Sequence, residues 1–523
     1  MSPSPSHRLR APRHWLARPL PLTAAVLVAA ASGFVNAAAF PGVGWWPLVF
    51  PGTALMFWSL AGRRGWSSLL VGLVGGFAFF GNHILWLTVY LGPIPWLALA
   101  GLESIFFALG CGLMALAWRY VPLVWPGNGG RLIGLPAALA GLWVLREAIT
   151  SVWPYGGFSW GRLAFSQSDS TFAPLVAWLG ISGLSFVIAF LSALLLQAVR
   201  TVRVPWSTRG TIVAAAFLLA ALFPAWPVIA SGTLRVAAVQ GDSDSGLFAQ
   251  HALGKSLDDH LQATVPILDR KVDVVVWPEN ASDIDPLRNP QAAQTLDFVS
   301  KTMKAPLVTG TITENKKGET FNSLLLWENG KGAVDQYDKI HPVPFAEYLP
   351  NRSFWYPLAP SLFDLVPRDY TFGTRNNVFD INGAVAGLAI CFDIVDDGLI
   401  HQMVHGGAQF IIAPTNNADF GHTDESVQQV AIARLRAIET GRSVVNDSTV
   451  GVSAMFAPDG RVIATLPTFR RGALVETIPL STTTTPAMFA GRQIEWIVAG
   501  FGLASLVAGM LLAPRRRRRG RSG

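Results

Sequence analysis

Between residues 1 and 231 the chain carries three acidic side chains, Glu103, Glu147 and Asp169, of the 33 in the whole sequence. The same stretch is a succession of apolar runs, and about 20 such residues in a helix cross a bilayer. Spans are expected near 18–40, 47–61, 66–91, 94–118, 132–152, 171–198 and 211–231, with an eighth near 492–513. The second is short enough to be a half-span or a tilted entry. Trp15, Trp45, Trp46, Trp66, Trp96 and Trp153 fall at or near run ends, as an interfacial aromatic belt would.

Orientation follows from Lys and Arg in the short loops. Arg8, Arg10 and Arg13, then Arg63 and Arg64, Arg119 and Arg131, and Arg200, Arg203 and Arg209 fall in alternate connections. The intervening loops carry almost none, and the chain ends in Arg515 through Arg519 plus Arg521. This puts both termini in the cytoplasm and segment 232–491 on the other side. Residues 8–39 also have the layout of a signal peptide, though the apolar run is long for one. The net charge of +7 is accounted for by these topology determinants, so no nucleic-acid partner is implied.

Segment 232–491 has ordinary soluble composition. Strand-like runs at 234–240, 272–277, 306–313, 321–327, 384–390 and 410–414 interleave with helix-like stretches near 251–269, 290–304, 395–405 and 424–440. That pattern predicts a layered α/β domain. The expected organisation is a transmembrane region over 1–231, a catalytic domain over 232–491, a last span over 492–513 and a basic tail over 514–523.

Three strand ends carry chemistry. Glu279 follows Val274-Val275-Val276-Trp277-Pro278, Lys339 follows Tyr337-Asp338, and Cys391 closes the run that begins at Ala384. Ligands collect outside the carboxyl ends of strands in open α/β sheets. A carboxylate can take the thiol proton, and an ammonium favours both thiolate and oxyanion. The Phe392 amide, if it opens the next helix, adds an oxyanion donor, and Glu347 can hold Lys339. Each residue also has a plain reading: a buried cysteine, a loop carboxylate, a surface lysine and its ion-pair partner. The only other cysteine, Cys111, lies inside an apolar run. His401 and His405 are spaced as zinc ligands can be, but Gln402-Met403-Val404 between them lacks a metalloprotease glutamate. Arg146 and Glu147 fall inside an expected span, where charges are costly and often functional. Mutual pairing, a place near the outer interface and a lipid headgroup contact are all open.

Trp277-Pro278-Glu279-Asn280, Tyr337-Asp338-Lys339 with Pro344-Phe345-Ala346-Glu347-Tyr348 downstream, and Cys391-Phe392-Asp393 resemble the three signature regions of the nitrilase superfamily. With the membrane spans added, the chain is similar to the apolipoprotein N-acyltransferase family of the bacterial inner membrane. Gly156–Gly161 with Ser166-Gln167, Thr415–Gly421 and Ala433–Glu439 extend the likeness. The resemblance implies a polytopic helical bundle of about eight spans plus an extracytoplasmic α/β domain, a nitrilase-like αββα sandwich. It implies a triad of Glu279, Lys339 and Cys391, supported by Glu347 and Phe392, with Asn416 and Phe420 as substrate contacts.

The implied reaction moves an acyl chain from a membrane phospholipid, through a cysteine thioester, to the terminal amine of a diacylglyceryl lipoprotein. Neither metal nor organic cofactor is expected. A membrane-tethered amidase and a non-catalytic lipid-binding homologue are the alternatives. Two positions depart from the family: Cys-Tyr-Glu is usual where Cys391-Phe392-Asp393 stands, and Trp is usual at Asp419. They bear on substrate preference more than on the triad.

Overall fold

The computed structural model describes residues 18–90, 92–201, 204–243, 252–366 and 369–519. Trp15, Arg8, Arg10, Arg13, Arg203 and Arg521, and the side chains of the Arg515–Arg519 run, lie outside what is described.

Each expected apolar run contains a helix, but eight spans are not supported. Four helices are long and apolar enough to cross a membrane: Pro93–Val124, Gly130–Thr150, Leu175–Arg200 and Pro486–Ala513. Leu22–Ala37, Trp46–Leu60 and Trp206–Ala221 are shorter. Trp66–His83 has 18 residues and ends on Asn82 and His83. Several runs overstated helix length because apolar residues also fill turns, whereas Pro93–Val124 and Pro486–Ala513 extend beyond the runs at 94–118 and 492–513. Residues 38–48, for example, form turns and a 3-10 stretch, not a continuation of the first helix.

Small residues let the helices approach. A β-carbon at Gly141 would lie 2.3 Å from Val498 O, and one at Gly502 would lie 2.6 Å from Leu142 N. Gly141 and Gly502 thus allow the last helix to pack backbone to backbone on Leu135–Thr150. Cys111 is fully buried in Pro93–Val124. Of the alternatives for Arg146 and Glu147, mutual pairing is observed, Nη2 to Oε1 at 3.5 Å. Glu147 Oε1 also accepts from Trp143 Nε1 at 2.8 Å and from the Leu163 amide at 3.0 Å. Trp45, Trp66 and Trp153 are exposed.

The α/β part has two six-stranded sheets. The first runs β12-β1-β2-β3-β4-β5: β1 is Ala230–Gln240, β2 Val274–Val276, β3 Leu307–Glu314, β4 Thr320–Glu328, β5 Gly332–Asp338 and β12 Gly472–Ser481. The second runs β11-β10-β9-β8-β7-β6: β6 is Val378–Ile381, β7 Ala384–Leu388, β8 Phe410–Thr415, β9 Ser443–Ser448, β10 Ser453–Phe456 and β11 Val462–Leu466. In each, three central parallel strands (β1-β2-β3 and β7-β8-β9) are flanked by antiparallel ones.

Period-2 alternation sorts side chains between layers. Val236 and Ala238 of β1 face the core between the sheets, with Phe410 and Ile412 of β8 opposite. Ala237 and Val239 face the outer helices Lys255–Thr264 and Pro290–Met303. Lys255–Thr264 is shorter than the stretch expected over 251–269. It gives way to a 3-10 turn at Val265–Ile267, where Pro266 lacks an N–H. Ile411 and Ala413 of β8 join a different cluster. Through helix Glu425–Thr440 it runs on into the membrane helices as one continuous core. This is the αββα layering expected, and the outer helix layer of the second sheet rests on the bundle.

Candidate active site

Two of the three strand-end residues come together because their strands run the same way. β2 is parallel to β3, and β5, two antiparallel steps from β3, shares its direction. Glu279 and Lys339 therefore leave the same end of the first sheet. Cys391 leaves β7 on the facing sheet, with Asn416 just beyond the neighbouring β8. Gly310 of β3 makes room for the Glu279 loop. A β-carbon there would lie 2.5 Å from Pro278 O and 2.6 Å from the Glu279 Cα.

Glu279 and Lys339 are buried, 4% and 1% exposed. Asn322 of β4 joins the acids: its Nδ2 donates to Glu279 Oε1 at 2.7 Å and to Glu347 Oε1 at 2.9 Å. Its carbonyl accepts from the Lys339 amide at 2.8 Å. The other Glu279 oxygen accepts from the Asn416 amide at 2.8 Å. Glu347 takes Lys339 Nζ between its oxygens, at 3.1 and 3.0 Å, and its Oε2 accepts the Val343 amide at 2.6 Å.

Cys391 is partly accessible and opens a 3-10 turn, Cys391–Val395, with φ at +51°. A β-carbon disfavours that conformation, so surrounding contacts must hold it. Phe392 lies in the first turn of this element, and its ring stacks on Trp160 at 5.8 Å and 3° and on Phe158 at 6.0 Å and 13°. The residue after the thiol is thus pressed against a loop of the membrane half.

Electrostatics tie the groups together. Burial first, then the Glu279 carboxylate, pushes the Cys391 thiol well up; Lys339 and the Thr415 hydroxyl pull it back. Burial likewise raises Glu279, against the Lys339 charge and the Asn322 and Asn416 hydrogen bonds. For Lys339 burial works downward, but Glu347 and Glu279 outweigh it and raise the ammonium. The resting site therefore holds a firmly charged lysine, a protonated thiol and a carboxyl of raised basicity. A thiol of this kind needs a base before it can attack.

Residues 32–194 match the apolipoprotein N-acyltransferase N-terminal domain, and residues 235–486 match carbon-nitrogen hydrolase. An apolipoprotein N-acyltransferase of Mycolicibacterium smegmatis is 33% identical over 96% of this chain and 88% of its own length. One of Pseudomonas aeruginosa is 28% identical over 94% and 97%. The chain belongs to the apolipoprotein N-acyltransferase family. Among solved structures, an amidase from Nesterenkonia sp. is similar at 17% identity and a TM-score of 0.37, covering 49% of this chain and 93% of that one.

Asp393 and Asp419 have different surroundings. Asp393 is buried, and its Oδ2 accepts from Tyr337 OH and from the Ile390 amide, both at 3.1 Å. Burial, opposed by Lys339, pushes this carboxyl up to about 7. Asp419 sits in the 3-10 turn Ala418–Phe420 beside the membrane half. In that turn Phe420 packs against Trp86 at 5.2 Å and Tyr90 at 4.8 Å. Asn416, expected as a substrate contact, has its amide on Glu279 and its Oδ1 accepting from Thr449 Oγ1 at 2.9 Å.

Two site residues were not anticipated. Asn322 is one; its only sequence signal is an amide near the start of a strand that becomes apolar after Ser323. Glu425 is the other. It is buried, its Oε2 accepts from Asn417 Nδ2 at 2.6 Å, and burial pushes it up to about 8. An acid in the first turn of a helix reads as ordinary helix chemistry, so nothing local marks it.

Proposed function

We propose that the chain is a membrane acyltransferase that carries an acyl group on Cys391 from a phospholipid to the N-terminal amine of a diacylglyceryl lipoprotein. The observation that carries this reading is the buried Glu279–Asn322–Glu347–Lys339 cluster, set beside a cysteine in a left-handed turn that rests on the membrane half.

Glu279 takes the thiol proton as sulfur attacks the ester carbonyl. The new oxyanion is stabilised by the Lys339 ammonium and the Phe392 amide. The ester C–O bond breaks, Glu279 returns its proton to the departing glycerol oxygen, and a lysophospholipid leaves. The lipoprotein amine then attacks the thioester. Glu279 takes a proton from nitrogen, the C–S bond breaks, and the proton passes to sulfur. Two half-reactions on one nucleophile give ping-pong kinetics.

Both substrates are anchored in lipid, which fits a cysteine turn stacked on a membrane loop. The protein spans the cytoplasmic membrane, the shorter apolar helices pack in the bilayer with the four long ones, and the α/β domain faces outward. Basic residues in alternate loops support that orientation. Asn416 holds the base in place, and Phe420 lines the approach from the bilayer.

The test is acceptor choice. Purified protein with phospholipid and a diacylglyceryl peptide should yield triacylated peptide and lysophospholipid in equal amounts. Free fatty acid with no peptide product would show that water is the acceptor and overturn the reading.

A further inference from the structure

The turn that begins at Cys391 is gripped from two sides. From helix Glu425–Thr440, the fully buried Arg436 donates through Nε to Ile394 O at 2.8 Å and through Nη2 to Val395 O at 3.0 Å. The same Nη2 reaches Asp397 Oδ1 at 2.7 Å. From the membrane half, Ser159 Oγ donates to Val395 O at 3.2 Å, and Arg162 Nη1 donates to Asp397 Oδ2 at 2.7 Å. One carboxylate is thus shared by two buried guanidinium groups from opposite directions.

The grip extends into the bundle. Arg162 Nη2 donates to Ser182 Oγ at 2.6 Å, and Ser182 Oγ donates to Glu495 Oε2 at 2.5 Å on the last helix. Arg436 Nη1 also donates to Glu439 Oε2 at 2.5 Å. Glu439 Oε1 accepts the Ile181 amide at 3.2 Å. That amide is released where Gly180, at φ +69°, breaks helix Leu175–Arg200.

We propose that Arg162, acting through Asp397 and together with Arg436, is a positioning residue for acyl transfer that fixes the Cys391–Val395 turn against the membrane helices. The proposal rests on the reading of Cys391 as nucleophile and the Phe392 amide as oxyanion donor. Its physical basis is the left-handed Cys391, a conformation that lasts only where the surroundings over-determine it. Hydrogen bonds on the carbonyls of residues 394 and 395 and on the 397 side chain do so from the far end of the turn. The stacked rings of Phe158 and Trp160 on Phe392 do so from the near end. Ser159 and Arg162 of the first set and both rings of the second come from residues 158–162, so the membrane half shares with Arg436 in completing the catalytic turn as well as anchoring it.

The experiment uses the full-length protein in mixed micelles of detergent and a dioleoyl phospholipid, with thioester on Cys391 followed by mass spectrometry over a single turnover. Displacement of reacting atoms by about 1 Å costs on the order of 100-fold in rate. Arg162→Met should slow thioester formation by about that factor, and Arg162→Lys, which keeps the charge, by about 10-fold. The apparent KM for lipid should stay within about twofold, because the lipid-binding surface is untouched. Arg162→Met combined with Asp397→Asn should be no slower than the slower single variant, since both break one unit.

Ser159→Ala, a milder change that removes one hydrogen bond to Val395 O, keeps the test open where an arginine variant fails to fold. It should slow the step by about threefold, within the range of one modest hydrogen bond. Wild-type rates per folded molecule in Arg162→Lys and Ser159→Ala, or a loss confined to KM, would overturn the proposal. No thioester in the unmodified protein would instead overturn the reading of Cys391 beneath it.

Discussion

Glu347 encloses the Lys339 ammonium with both carboxylate oxygens, at 3.1 and 3.0 Å, while Asn322 ties the same carboxylate to Glu279. The cation proposed to meet the oxyanion is thus fixed by one acid, and that acid shares the Asn322 amide with the other. A lysine held this way is pre-organised, and fixed charge in a dry site is the most effective form of transition-state stabilisation.

Glu347→Gln should keep the shape and lose the ion pair. We expect thioester formation to fall by roughly 100-fold, the scale for loss of one oriented oxyanion group. The fall should appear in the rate constant and not in KM. A stopped-flow or quenched single-turnover measurement reads it directly.

Asn322→Ala should cost both stability and rate. It removes a donor from the buried Glu279 carboxylate and the partly buried Glu347 one, and an unsatisfied buried group costs about 1–3 kcal/mol. Thermal unfolding of the purified protein should report a lower Tm, and Asn322→Asp should be worse because it sets a third acid beside them.

Glu279→Gln separates acidity from basicity. The Glu279 carboxylate raises the Cys391 thiol, so its removal should shift iodoacetamide alkylation of Cys391 to lower pH. Acyl transfer should nevertheless fall by about 100-fold or more, because the base is gone. Alkylation rates between pH 6 and 10 (roughly the range over which thiols ionise) check the sign. A shift to higher pH would contradict the arrangement.

Glu425 gives a stability signature of unusual sign. It is pushed up to about 8, while an unfolded glutamic acid titrates near about 4.3. Between those values the folded protein binds more protons than the unfolded chain, so this group lowers stability as pH rises through the window. Glu425→Gln should therefore raise Tm relative to the unmodified protein more at pH 8 than at pH 5, two values about three units apart that span most of the window. Asp393, pushed up to about 7, is common to both proteins and cancels in the difference.

What the sequence made legible was governed by strand ends. Glu279 and Cys391 each terminate an apolar run, and such runs locate buried strands whatever their partners, whereas Lys339 follows the mostly polar strand Gly332–Asp338 and stood out only through the residues around it. Asn322 was hidden because its role comes from register: Ser323 pairs with Asp338 across β4 and β5, which brings Asn322 alongside Lys339. Phe420 meets Trp86 and Tyr90 more than 300 residues away, a contact no local pattern encodes. Nothing local marked Arg162, because its partners Asp397 and Ser182 come from two other parts of the chain. Four of the eight expected spans coincide with helices long and apolar enough to cross a membrane, and hydropathy alone did not separate the other helices from the apolar turns beside them.

Whether Cys391 carries the acyl group is read by mass spectrometry of the protein after incubation with phospholipid alone. An acyl adduct on Cys391 is expected, discharged by a diacylglyceryl peptide and absent in Cys391→Ala. Peptide acylation that proceeds without any adduct on Cys391, or that survives in Cys391→Ala, would contradict that role for Cys391.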